Sequence, residues 1–248
     1  MQEWIWDLRW QDDAIVLGVR SYGEKNAILE VITRHYGRHL GFVRSGQSRR
    51  MQAVLQAGNV IRINWYARLA QDLGEFRLEI IDQRFTKLID SSICLYGLQT
   101  MIVLLRFLPE RDPCPEIYRM FNVFLDHLKM PDISGKLFVQ IELILLKNLG
   151  FGLELTKCVV TGVNHDLAWV SPKSGCAVCR KVGLPYADKM LVLPSFLCSE
   201  KEQKIDIDSL KSAFQLTDYF LKKYARQNDI VDYGKFRTSF LNKLLELL

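Results

Sequence analysis

The chain has 248 residues, 49% of them hydrophobic and 25% charged, with a formal net charge of +5. That length and balance support a buried core without cross-links and exclude wholesale disorder, and no apolar run approaches the roughly 18–20 residues of a membrane span. Six cysteines are too few for a disulfide scaffold. The leader Met1–Trp10 sets Glu3 and Asp7 among three tryptophans and is neither a signal nor a transit peptide, so a cytoplasmic protein is expected.

The charge is uneven. Residues 1–13 hold one base and four acids, residues 14–70 hold nine bases and two acids, and the remainder is nearly neutral. Eight of those nine bases are arginine, whose planar fork donates two hydrogen bonds to one phosphate. A polyanion partner is the expectation for this segment.

In chain order, 14–20 (AIVLGVR) and 27–33 (AILEVIT) are apolar, β-prone and separated by a turn-like stretch. A third strand is expected at His39–Val43, with Gly41 hinting at a bend or bulge. The period-two alternation of 60–67 (VIRINWYA) and 75–82 (EFRLEIID) gives two more. Five short strands in so short a span read as a small barrel, the OB-fold count. Between the third and fourth lies Arg44-Ser-Gly-Gln-Ser-Arg-Arg50, a basic loop able to offer backbone N–H groups and arginines to phosphate.

Beyond Arg84 the period becomes helical, at 90–107, 116–128 and 135–149, with Gly150 as a stop. Rich in Leu, Ile and Phe, these read as a bundle core. Residues 151–200 lose the period; Gly152, Gly162, Gly175 and Gly183 with three prolines suggest turns and short strands. Helices return at 209–225, capped by Asp208 or Ser209, and at 235–247. The expected layout is α+β and multidomain: a five-stranded barrel domain over 1–84, a helical domain from 85–150 and 205–248, and a zinc-finger-like insertion at 151–204.

That insertion carries Cys158, Cys176, Cys179 and Cys198. Cys176-x-x-Cys179 supplies half of a tetrahedral zinc site. A second knuckle at Cys158 would place its other cysteine where Thr161 stands, which leaves Cys198 or His165 for the fourth ligand and metal-free buried thiols as the alternative. Enzyme signatures are absent: no phosphate-loop motif, no G-x-S-x-G elbow, no H-E-x-x-H, and the four histidines lack clustered acidic partners. A non-catalytic protein is expected.

Several stretches together resemble the RecO family of bacterial recombination mediators. They are Arg20-Ser-Tyr-Gly-Glu24, Thr33-Arg-His-Tyr-Gly37, Gly46-Gln-Ser-Arg-Arg-Met51, Leu149-Gly-Phe-Gly-Leu153, Cys158-Val-Val-Thr-Gly162, Val170-Ser-Pro-Lys-Ser-Gly175 and Leu193-Pro-Ser-Phe-Leu197. The resemblance implies an N-terminal OB-fold, a helical domain and a zinc-finger-like insertion. It implies binding of single- and double-stranded DNA, strand annealing, and loading of the RecA recombinase together with RecR. It also implies contact with the acidic tail of single-strand-binding protein. The chain departs from metal-binding members at Thr161, so one structural zinc is expected only if another ligand replaces it.

An OB barrel binds single strands through a basic groove and aromatic platforms. The expected DNA contacts are Arg34, Arg38, His39, Arg44, Arg49, Arg50, Arg62, Arg68 and Tyr66. Tyr66 shares a strand face with Arg62, whereas Trp65, sharing a face with Ile61 and Ile63, is expected in the core; Phe76 is a further candidate platform. An RNA-binding barrel and an adaptor for acidic tails are the alternative readings.

Overall fold

A computed structural model describes residues 8–198, 206–230 and 234–248; Trp4 and Trp6 of the leader lie outside them. The chain divides into two compact units, 1–126 and 127–248. Hydrophobic periodicity changes at residue 84, but the helices that follow it up to 126 count with the first unit.

In the first unit, strands β1 (Leu8–Tyr22), β2 (Asn26–Thr33), β3 (Arg38–Val43), β4 (Val60–Ala67) and β5 (Glu75–Asp82) close in the order β1-β2-β3-β5-β4, in keeping with an OB-fold. Alternation explains β4: Ile61, Ile63 and Trp65 point inward and are buried, while Arg62 is exposed. β1 begins earlier than its apolar run because Leu8–Asp13 pairs with β4, from Leu8↔Ala67 to Asp13↔Arg62. Its bulge falls between Val16 and Gly18, not at Gly41. Gly41 instead makes room for a ring: a Cβ there would stand 2.3 Å from Phe76.

Helix α1 (Arg49–Val54) replaces the end of the expected basic loop, with the Ser48 hydroxyl accepting from the Met51 amide. Met51, Val54 and Leu55 pack into the barrel core. The short α2 (Phe85–Leu88) precedes α3 (Ser92–Leu105) and α4 (Pro115–His127). The segment after α3 is stitched to the barrel: Arg38 Nε donates to the Leu108 carbonyl at 3.2 Å, and the Arg111 amide donates to the Arg38 carbonyl at 2.7 Å.

In the second unit, α5 (Pro131–Asn148) packs on α7 (Ile207–Gln227) and α8 (Gly234–Leu247). Phe138 anchors the core, with Phe240 and Phe214 at 4.9 and 5.8 Å between ring centroids. Asp206, rather than Asp208 or Ser209, caps α7, accepting from the Ser209 amide at 2.7 Å. The intervening region forms a three-stranded sheet, β7-β6-β8, from β6 (Leu167–Val170), β7 (Ala177–Cys179) and β8 (Leu191–Val192), with the short helix α6 (Arg180–Gly183) and 3-10 turns beside it.

Candidate nucleic-acid interface

Residues directly opposite one another in a sheet share a face. On the outer face of β1, β2 and β3 the rows read Arg20–Ile28–Phe42 and Gly18–Glu30–Leu40. Tyr22, 56% exposed, stands perpendicular to Phe42 with centroids 5.9 Å apart. Arg20 is exposed, and a groove of about 370 Å³ runs along these rows. At the far end of the groove Glu30 accepts from Arg38 at 2.9 Å and from Arg106 at 2.7 Å, so its charge is neutralised twice.

The loop after β3 is tied to the β1–β2 turn. Gln47 Nε2 donates to the carbonyls of Gly23 and Asn26 at 2.8 and 3.0 Å, and the Gln47 amide donates to Lys25 O at 3.0 Å. Gly46 lies so close to Ala27 that a Cβ would meet that methyl at 2.5 Å. The amides of Ser45, Gln47, Ser48 and Met51 are all engaged within the protein. Those four amides are therefore not offered to phosphate, and the loop's cations remain. Arg49 and Arg50 are exposed and, like Lys25, form no ion pair among the described residues. Arg44 pairs with Glu75 at 2.8 Å but stays 75% exposed, a surface pair of about 0–1 kcal/mol that a phosphate can displace.

The other expected contacts separate. Arg38 is spent on Glu30, Leu108 and Glu110 and is a clamp, not a phosphate contact. Arg62 and Tyr66 lie on the part of the outer surface formed by β1, β4 and β5, which joins the β1–β2–β3 part through the Phe42↔Glu75 pair. Its rows read Arg9–Tyr66–Glu75, Gln11–Asn64–Arg77 and Asp13–Arg62–Glu79, so its charges cancel. Arg62 is held by Asp13 at 2.9 Å, and Arg77 covers the Tyr66 ring at 5.1 Å. Arg34 and Arg68 are exposed in two other loops; Arg34 lines a groove shared with Arg84, Tyr118 and Arg119. Trp65 and Phe76 are core residues. His35, next to Arg34, pairs with Asp12 at 3.1 Å.

His39 is 3% exposed, amid Trp10, Trp65 and Phe76. Burial pulls its pKa down to about 4; the Leu40 carbonyl opposes this and the Arg111 guanidinium adds to it. It is neutral at pH 7 and turned inward, so it is no phosphate contact. Because the folded value lies below the ordinary 6.5, the unfolded chain takes up the proton first as pH falls. Stability present above pH 6.5 is then lost progressively towards pH 4. The expected loss is about 2–3 kcal/mol, and H39Q flattens it; urea unfolding at pH 7, 5.5 and 4.5 for both proteins measures the difference.

The four cysteines do not assemble a metal site. Cys158 and Cys179 share a small apolar core with Val178, Leu167 and Trp169, and Thr161 Oγ1 stands 3.8 Å from Cys179 Sγ. Cys176 Sγ turns to the Ser174 carbonyl at 3.6 Å and Cys198 Sγ to the Pro194 carbonyl at 4.0 Å. Among the described residues no three His, Cys, Asp or Glu side chains converge as a metal site. Burial pushes the Cys158 thiol up, but hydrogen bonds from the Thr161 hydroxyl and the amides of Cys179, Thr161 and Val160 outweigh it and bring it down to about 6. Thr161 stands where a second ligand is expected, and among the described residues no third ligand joins Cys158 and Cys179.

A small closed barrel with a basic, aromatic-bearing face, followed by helices, is the architecture of an OB-fold protein. Similarity to known proteins places it in DNA repair. The chain matches the family model for the N-terminal part of recombination protein O over residues 7–84 and that for its C-terminal part over residues 90–229. It is 50% identical to the DNA repair protein RecO of Rhizobium leguminosarum over 97% of this chain and 94% of that one. It is 48% identical to the RecO of Agrobacterium fabrum over 97% and 95%, and 45% identical to that of Mesorhizobium japonicum over 96% and 94%. The chain belongs to the RecO family of DNA repair and recombination proteins. No helix among the described residues is long and apolar enough to cross a membrane.

Proposed function

We propose that this protein is a non-catalytic recombination mediator of the cytoplasm. It binds single-stranded DNA on the β1–β2–β3 face, anneals complementary strands, and with RecR helps load recombinase onto strands coated by single-strand-binding protein, whose acidic tail it contacts. The observation that carries the DNA-binding part is the face itself. Exposed Tyr22 beside Phe42, with Arg20, Lys25, Arg44, Arg49 and Arg50 around them, gives a stacking platform inside a cationic rim. This is the face through which OB barrels engage oligonucleotides. Annealing then needs no covalent chemistry, since neutralising phosphates lowers the repulsion between two strands.

The triple variant R44A/R49A/R50A tests the reading. Each lost phosphate contact lowers the salt slope by about 0.7 for single strands, so the slope is expected to fall by about 2, with weaker binding at low salt. Fluorescence anisotropy of a labelled oligonucleotide across a salt series measures it; unchanged affinity and slope overturn the loop's role. Annealing assayed with single-strand-binding protein present tests the mediator step, and competition by matched RNA distinguishes an RNA-binding barrel.

A further inference from the structure

The barrel closes poorly along one seam. β5 pairs with β4 from Glu75 to Asp82 but with β3 only at Phe42↔Glu75. Among the described residues, Phe76–Asp82 makes no backbone hydrogen bond outside its own ladder. Its outer edge is therefore a row of unpaired N–H and C=O groups, the template onto which another strand adds. The strand also carries exposed aliphatics, Ile80 at 39% and Ile81 at 49%.

The sequence of this edge is self-complementary. Phe76-Arg-Leu-Glu-Ile80 reads apolar, basic, apolar, acidic, apolar. Antiparallel pairing of two such edges about a two-fold axis at Leu78 sets Arg77 opposite the second copy's Glu79, and Glu79 opposite its Arg77. The same register sets Phe76 opposite the second copy's Ile80 and Leu78 opposite its own counterpart. Both charges are exposed. The nearby ion pairs run Arg44–Glu75, Arg62–Asp13 and Arg84–Asp82; Arg77 lies over the Tyr66 ring and Glu79 stands opposite Arg62 on β4, and neither closes a direct salt bridge among the described residues. A shift by one residue in the pairing sum destroys the match, setting Arg77 against Ile80 and Glu79 against Leu78. A shift by two sets Glu79 against its own copy.

We propose that the β5 edge is a homodimer interface, in which β5 strands of two copies pair antiparallel through reciprocal Arg77–Glu79 contacts. The interface is isologous, so one patch serves both partners. A single added strand pair lies below the standard interface size, which makes the dimer weak and concentration-dependent. Such a dimer carries two copies of the proposed DNA-binding face.

Sedimentation of the full chain without DNA, from micromolar to several hundred micromolar, tests this. A monomer–dimer equilibrium is expected. R77E or E79R alone places like charges at two symmetric contacts and is expected to weaken it by about tenfold or more. R77E/E79R restores the opposition of charge and is expected to return the equilibrium constant to the unmodified value within about threefold. Both positions are exposed, and circular dichroism checks that the variants fold. A chain that stays monomeric throughout overturns the proposal. So does a dimer indifferent to the single reversals, or one that the double swap fails to restore.

Discussion

Replacing Arg237 by methionine is expected to lower the unfolding free energy by about 3–5 kcal/mol, the range for breaking a buried ion pair. Arg237 on α8 reaches Glu142 on α5 through two hydrogen bonds, Nε at 2.7 Å and Nη2 at 3.0 Å. The Glu142 side chain is fully buried and the Arg237 side chain 6% exposed. Thr217 on α7 donates to the same carboxylate at 2.6 Å, and Arg237 also donates to the Phe214 carbonyl at 3.0 Å. One network thus joins three helices, and its guanidinium lies against the rings of Phe138 and Phe214. Removing the cation leaves the Glu142 charge in an apolar core, and that uncompensated charge is the source of the loss. E142L/R237M removes both charges and is expected to lose much less than R237M, because an apolar pair of similar volume avoids the desolvation cost. Asp218, which also accepts from Arg237 Nη1 at 3.3 Å, keeps Lys222 at 2.6 Å in either case. Urea unfolding followed by circular dichroism gives the three free energies. Near-wild-type stability of R237M, or a double variant worse than the single, overturns the account.

Neither residue stands out in the sequence, since a Glu in ELILLKN and an Arg in KFRTSF look like ordinary solvated helix positions. Period-two strands were legible to the residue: β4 and β5 fall where alternation places them, because β4 has one face in the core and β5 turns Phe76 and Leu78 towards it. The first half of β1 was hidden, since Gln11, Asp12 and Asp13 carry no apolar signal and are held by pairing to β4. α1 was hidden for a related reason: six residues give no usable period, and Met51 and Val54 acquire a core only through the barrel. The basic loop was legible from composition. The rest of the interface was not, because which strands share a face is a property of register across strands. Tyr66 does share a face with Arg62, yet Asp13 and Glu79 from neighbouring strands neutralise it. His39 looked like its exposed neighbours, and only the packing around it shows a core residue. Cysteine spacing could not show that the Cys176 and Cys198 thiols turn to the Ser174 and Pro194 carbonyls.

Tyr22 is the residue that register adds, and Y22A is expected to weaken single-stranded DNA binding about 5- to 150-fold, the equivalent of about 1–3 kcal/mol for one stacked base. Its ring meets Phe42 at 90° and is 56% exposed, which leaves ring surface open for a base. Arg20 precedes it by two residues, on the same strand face, and Lys25 and Arg44 lie on the tied turn and loop, placing phosphate partners on both sides. Y22F keeps the ring and is expected to bind as the unmodified protein does. The signature differs from that of the arginine variants: no charge is lost, so affinity falls while the salt slope stays constant. Tyr66, lying under Arg77 on the charge-balanced face, supplies the control, and Y66A is expected to leave affinity unchanged. Anisotropy titrations of labelled oligothymidine at two salt concentrations compare the three variants. Loss of binding in Y66A with none in Y22A would place the strand across β4 and overturn the assignment of the β1–β2–β3 face.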